Sequence, residues 1–144
     1  MRKLMIAAAA LAVLAATPAA AQQSSMKPGP LWTAARIYVE DGQMPNYMDY
    51  LTKTWVDLQD YSKAQGWLLE YHVLQSVNPR DGEPNIILLT RFNDFPSAAE
   101  TDRRNDLINK RLGLDSHGAA AASGERTKIR KQMGSVMYRE LLKR

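Results

Sequence analysis

The sequence predicts an α+β fold in which the elements run βαββαβ, a four-stranded antiparallel sheet with its helices on one face. Three observations predict it. Two strand-like runs, Trp67-Leu68-Leu69-Glu70-Tyr71-His72-Val73-Leu74 and Ile86-Ile87-Leu88-Leu89-Thr90-Arg91-Phe92, flank the turn cluster Asn78-Pro79-Arg80-Asp81-Gly82-Glu83-Pro84-Asn85. Proline sets φ, glycine supplies φ > 0, and Asn and Asp bond their own backbone, so this spacing reads as an antiparallel hairpin. A helical stripe precedes the hairpin, and a weaker helix and a β-rich run follow it.

Residues 1–21 stand apart from the fold. Arg2 and Lys3 precede an apolar run, and Ala19-Ala20-Ala21 offers a cleavage site before Gln22. This is the pattern of a signal peptide, and the Ala-rich run points to a bacterial periplasmic or secreted protein. The run is too short for a bilayer, which needs ~20 apolar residues, so no stable membrane anchor is expected after cleavage. Two of the four net positive charges belong to this segment. The remaining chain is near neutral, which leaves no electrostatic case for nucleic acid. The sequence holds no Cys, and so no disulfide, thiolate nucleophile or Cys-based metal site.

Residues 22–30 read as a flexible leader ending in Lys27-Pro28-Gly29-Pro30, and residues 31–144 as one domain. The first strand is expected at 32–40. Alternation puts Ala35, Ile37 and Val39 on one face and Trp32, Ala34, Arg36 and Tyr38 on the other. Pro45 then suits a first helical turn, and Tyr47, Met48, Leu51, Trp55, Leu58 and Tyr61 recur at helical spacing. The helix is expected at 45–65, with Gly66 as its stop. Tyr50 falls off the stripe and is placed at a pocket mouth.

After the hairpin, a helix is expected at 97–112, with Asn93 or Asp94 near its cap and Gly113 at its end. Asp115-Ser116-His117-Gly118 reads as a turn, and 114–124 as a loop or a short helical extension. An Asp and a His two apart are too few for zinc, which takes three or four protein ligands, so no metal site is assigned. Residues 125–133 read as further helical turns, with Arg126, Lys128, Arg130 and Lys131 as a solvated basic face. A closing strand is expected at 135–141, and a helical tail at 136–143 is the alternative.

Strand parity sorts the polar residues. With Ile37, Val39, Leu69, Tyr71, Val73, Leu88 and Phe92 facing the helices, the opposite face collects Arg36, Tyr38, Glu70, His72 and Arg91. That face also carries Trp32, Leu68, Leu74, Ile87 and Leu89, too apolar for water, and a second copy packed sheet against sheet is the simplest cover. Hairpin register puts Glu70 near Arg91, where a charge-assisted pair would satisfy both. One reading is a pocket with His72 as acid/base, Arg36 or Arg91 holding an anionic or carbonyl oxygen, and Tyr38, Glu70 and Trp32 touching a ligand. The other is a satisfied network that fixes the register of the dimer.

The segment Asn46-Tyr47-Met48-Asp49-Tyr50-Leu51, with Thr54-Trp55, Tyr61, Gly66-Trp67 and Tyr71, resembles the dimeric α/β-barrel superfamily of ferredoxin-like proteins, in a secreted bacterial branch. The resemblance spans about 31–141 in element order. It implies a homodimer with a cavity beneath each sheet or at the barrel centre. It does not imply one reaction, because the superfamily holds cofactor-free monooxygenases, haem-degrading and chlorite dismutase-like enzymes, dehalogenating or decarboxylating enzymes and stress proteins. The leading expectation is a periplasmic homodimer that binds a small, partly apolar molecule, its cofactor unknown. The rivals are a cofactor-free or haem-dependent enzyme with a cavity reaching His72 or Arg91, and a non-catalytic protein whose barrel is filled by Trp32, Leu68, Leu74 and Met137.

Overall fold

The computed structural model describes residues 24–144; the expected signal peptide at 1–21 lies outside the described residues. The elements are β1 (Met26–Val39), α1 (Met44–Tyr50), α2 (Val56–Ala64), β2 (Glu70–Gln75), β3 (Ile86–Phe92), α3 (Ala98–Leu112), α4 (Ser116–Glu125) and β4 (Arg130–Lys143). The four strands form one antiparallel sheet in the order β2-β3-β1-β4. This is the ferredoxin-like arrangement, with an extra helix, α4, before the closing strand.

The expected long helix is present, but it is not uniform. Pro45 sits in its first turn, and a π-helical segment (Leu51–Trp55) joins α1 to α2. Tyr47 and Leu51 on this helix pack with Ile37, Val39, Ile86 and Leu88 to form the core. α3 begins one turn later than Asn93 or Asp94 would cap it. Ser97 is the cap, its hydroxyl accepting from the Glu100 N–H, and Gly113 closes the helix at φ +64°.

Four segments depart from the sequence reading. First, β1 starts at Met26, inside the stretch read as a leader. Met26, Lys27 and Pro28 pair with Lys143, Leu142 and Leu141, so the far end of β4 supplies the ladder partners that a Pro-Gly-Pro segment lacks locally. Second, β4 is a strand of 14 residues, which removes both the helical tail and most of the helical turns expected at 125–133. Only a 3₁₀ turn (Arg126–Lys128) remains of them. Gly134 lies inside this strand. It sits at φ +89° beside the register shift between β1 and β4, where a glycine lets the strand bulge and continue. Third, 114–124 is largely α4. Asp115 caps it by accepting from the Gly118 N–H at 2.7 Å, so the Asp-Ser-His-Gly turn chemistry opens a helix. Fourth, Leu68 and Leu69 exchange roles. A bend at Leu69 precedes β2 and breaks the alternation, so Leu68 is buried near Thr90, Phe92 and α3, while Leu69 is 37% exposed.

The rest of the parity holds. Ile37 pairs with Ile86, Ala35 with Leu88, and Val73 with Leu88 on the helix-covered face. Asn85 locks the hairpin to β1: its side chain accepts from the Val39 N–H and donates to the Val39 carbonyl, at 2.8 and 2.9 Å.

Candidate functional site

The uncovered face of the sheet carries the chemistry that the sequence reading placed there, with one addition. In the ladder, Glu70 lies opposite Arg91, Arg91 opposite Trp32, and Trp32 opposite Tyr138. Arg91 is held from two sides. Its Nη2 and Nε donate to one oxygen of Glu140 at 2.8 and 3.1 Å, and its Nη1 lies 3.6 Å from Glu70. The same Glu140 oxygen accepts the indole N–H of Trp32 at 3.3 Å. Glu70 in turn meets Nε2 of His72 at 2.8 Å. The Trp32 ring stacks on His72, 6.3 Å between centroids at 15°, and Arg91 sits 5.5 Å from its centroid. Five side chains from four strands thus form one continuous chain of contacts.

This geometry narrows the roles. Arg91 is flanked by two carboxylates, so its donors are engaged and the local charge is negative, a poor grip for an anionic ligand. With Nε2 held by Glu70, the His72 ring is oriented as an acid/base would be. Arg36 and Tyr38 lie on the same face but pair further along, opposite Ile87 and Lys131, and Arg36 lies near Glu83 instead. The structure therefore brings Trp32, Glu70, His72 and Arg91 together, adds Glu140, and leaves Arg36 and Tyr38 out. Glu140 was beyond sequence reasoning because its neighbours come from the pairing of β1 with β4, strands at opposite ends of the chain. Leu68 and Met137, expected to fill the barrel, lie on the helix-covered side; Met137 pairs with Thr33.

With Nε2 of His72 meeting Glu70 and Trp32 stacked on the ring, a haem iron would have to approach Nδ1. No group of three His, Cys, Asp or Glu that could hold a metal occurs among the described residues.

No family model matches the sequence, and no curated protein matches it. Its likenesses are to solved structures. A dimeric ferredoxin-like protein from an uncultured marine organism aligns over 81% of this chain and 89% of its own, at 11% identity and TM-score 0.48. Another from an uncultured marine organism aligns over 81% and 96%, at 14% identity and TM-score 0.46. A candidate monooxygenase from Shewanella loihica PV-4 aligns over 82% and 96%, at 14% identity and TM-score 0.41.

The second constellation lies under α4, on the helix-covered side. Arg130, expected on a solvated face, is only 7% exposed. Its guanidinium lies 5.7 Å from the centroid of the Tyr47 ring, and Arg126 lies 4.6 Å from that of Tyr50. Tyr47 is fully buried, and burial raises its hydroxyl above the ordinary value of 10.0 although Arg130 opposes that shift. The Tyr47 hydroxyl and the Nε atoms of Arg126 and Arg130 are buried without a hydrogen-bond partner among the described residues. A cation over a ring contributes about 0.5–2 kcal/mol, less than the several kcal/mol it costs to take an unpaired charge out of water. Arg130 lines a cavity of about 720 Å³ with Glu40, Ala120, Ser123, Gly124, Thr127 and Lys131. Tyr50, expected at a pocket mouth, lines a neighbouring cavity of about 370 Å³ with Arg126. His72 and Arg91 line neither.

Proposed function

We propose that the protein works in the periplasm as a homodimer, with the uncovered sheet faces of two copies packed together, and that the enclosed space takes a small, partly apolar molecule. One observation carries the assembly. The uncovered face holds Trp32, Leu74, Ile87, Leu89, Val136 and Tyr138, of which Leu74, Val136 and Tyr138 are 45, 38 and 56% exposed. Those side chains surround a charged network that is itself partly open to solvent, with His72 and Glu70 at 45 and 40%. A sheet face of this composition is stabilised by being covered. A second copy offers the same mixture, apolar against apolar with the polar chain between, and covering strengthens each hydrogen bond in that chain.

The oriented His72–Glu70 pair favours a second reading, in which His72 moves a proton to or from the enclosed molecule. This is the cofactor-free enzyme of the sequence analysis.

Light scattering on the chromatographed protein tests the assembly, with about twice the chain mass expected at micromolar concentration. A monomer would overturn it. Isothermal titration with a small, partly apolar probe such as cyclohexanol, saturable in the wild type and weakened in Trp32→Ala, tests the enclosed site, and no saturable binding would overturn it.

A further inference from the structure

We propose that the cavity beneath α4 is a binding site for a small organic anion, with Arg130 receiving its carboxylate and Arg126, in the neighbouring cavity, adding positive potential. The site lies on the opposite face of the sheet from the open network, and it does not depend on the dimer.

The first argument is charge. Arg130 and Lys131 line this cavity and Arg126 lines the neighbouring one, and Glu40 is the acid among the lining residues. Neither guanidinium forms an ion pair with a described carboxylate, whereas neighbouring Lys128 is paired with Glu125. Among the other described arginines, Arg80 meets Glu83, Arg91 meets Glu140, Arg103 and Arg104 meet Glu100, Arg111 meets Asp57, and Arg139 donates to the Gly29 carbonyl. A guanidinium that is more than nine-tenths buried, unpaired and facing a cavity calls for an anion from outside. Its planar fork matches a carboxylate.

The second argument is the hydroxyl. Tyr47 places a buried O–H, with no acceptor among the described residues, beside Arg130, with Arg126 also close enough to act on it. Burial keeps the phenol protonated, so it can donate to an incoming oxygen. A buried cation with a neutral donor beside it suits an oxyanion.

The third argument is size. A cavity of about 720 Å³ exceeds a bare inorganic anion many times over and falls within the 300–1,000 Å³ range of small-molecule pockets. The wall supplied by α4 consists of Ala120, Ser123 and Gly124, which leaves room for an organic body and gives it an apolar edge.

Isothermal titration of the whole protein tests this, with sodium benzoate and sodium phosphate each run against sodium chloride at constant ionic strength. Saturable benzoate binding is expected, weakened about tenfold or more by Arg130→Lys and by Arg126→Gln, and unchanged by Lys128→Gln, which removes a paired charge outside the cavity. No saturable benzoate binding would overturn the proposal, as would equal weakening by Lys128→Gln, which would mark a net-charge effect. Phosphate binding without benzoate binding would overturn the organic body. Should Arg130→Lys fail to fold, Tyr47→Phe carries the test: it keeps the ring under Arg130, and weaker benzoate binding without loss of thermal stability is expected of a receptor hydroxyl. Unchanged binding in that variant would remove the hydroxyl from the site.

Discussion

Arg91 and Glu140 are 49 residues apart in the chain, yet two guanidinium nitrogens of one meet a single oxygen of the other at 2.8 and 3.1 Å. They reach across β1, whose Trp32 donates to the same oxygen. Glu140 therefore ties β3, β1 and β4 together on the uncovered face.

Glu140→Gln should loosen that tie. Arg91 would keep only the more distant Glu70 at 3.6 Å, and Trp32 would share a weaker acceptor. Both partners are about a quarter to a third exposed, so solvent screens the pair and a loss of about 1 kcal/mol is expected. Urea unfolding at pH 7 measures it. A midpoint equal to that of the wild type would show that the network contributes nothing to the fold.

Leu74→Lys bears on assembly. Leu74 sits on the uncovered face opposite Ile87 and is 45% exposed, so the monomer should tolerate the change within about 0.5 kcal/mol. An interface cannot absorb two buried ammonium groups as readily. Sedimentation velocity should show monomers for the variant under conditions that give dimers for the wild type.

At low pH the sensitive point is the first turn of α3. Hydrogen bonds from Arg103 and then Arg104 hold the Glu100 carboxyl well below its ordinary 4.5, at about 2. A depressed carboxylate adds stability above its unfolded value and loses it as the pH falls toward its folded one. Wild-type stability should thus decline between about pH 4.5 and 2, and Glu100→Gln should flatten part of that decline. Thermal melts at half-unit steps of pH would show it.

At high pH the sensitive point is Tyr47. Its phenol is raised above 10.0, chiefly by burial, so ionisation is easier in the unfolded chain. The stability this represents is complete below the unfolded value and is lost as the pH rises through it toward the folded one. Tyr71, raised by its hydrogen bond to Asp60, adds to the same trend. Melting temperatures from pH 8 to 11 should fall less steeply in Tyr47→Phe than in the wild type. A parallel fall would place the loss elsewhere.

Much of this protein was legible in the sequence because the signals are local. Alternation along β1 and β3 placed Trp32 and Arg91 on one face, and the hairpin placed Glu70 beside Arg91, since parity needs only the period of a strand. The stripe from Tyr47 to Tyr61 marked the long helix, and Gly66 and Gly113 marked helix ends. What escaped depended on partners distant in sequence. Met26 to Pro30 looked like a leader because its ladder partners lie at the far end of β4. Glu140 joined the network through the pairing of β4 with β1, which come from opposite ends of the chain. Leu68 and Leu69 changed faces through one bend. Arg130 carried no local mark of burial: a charge in a basic run looks solvated until α4 folds over it and Tyr47 rises beneath it. The sequence by itself determined which residues share a strand face and a helix stripe, because backbone periodicity is a local property. Only the tertiary structure decided which charges find a partner and which are left facing a cavity, because burial and pairing are set by chain segments that meet only when the sheet closes.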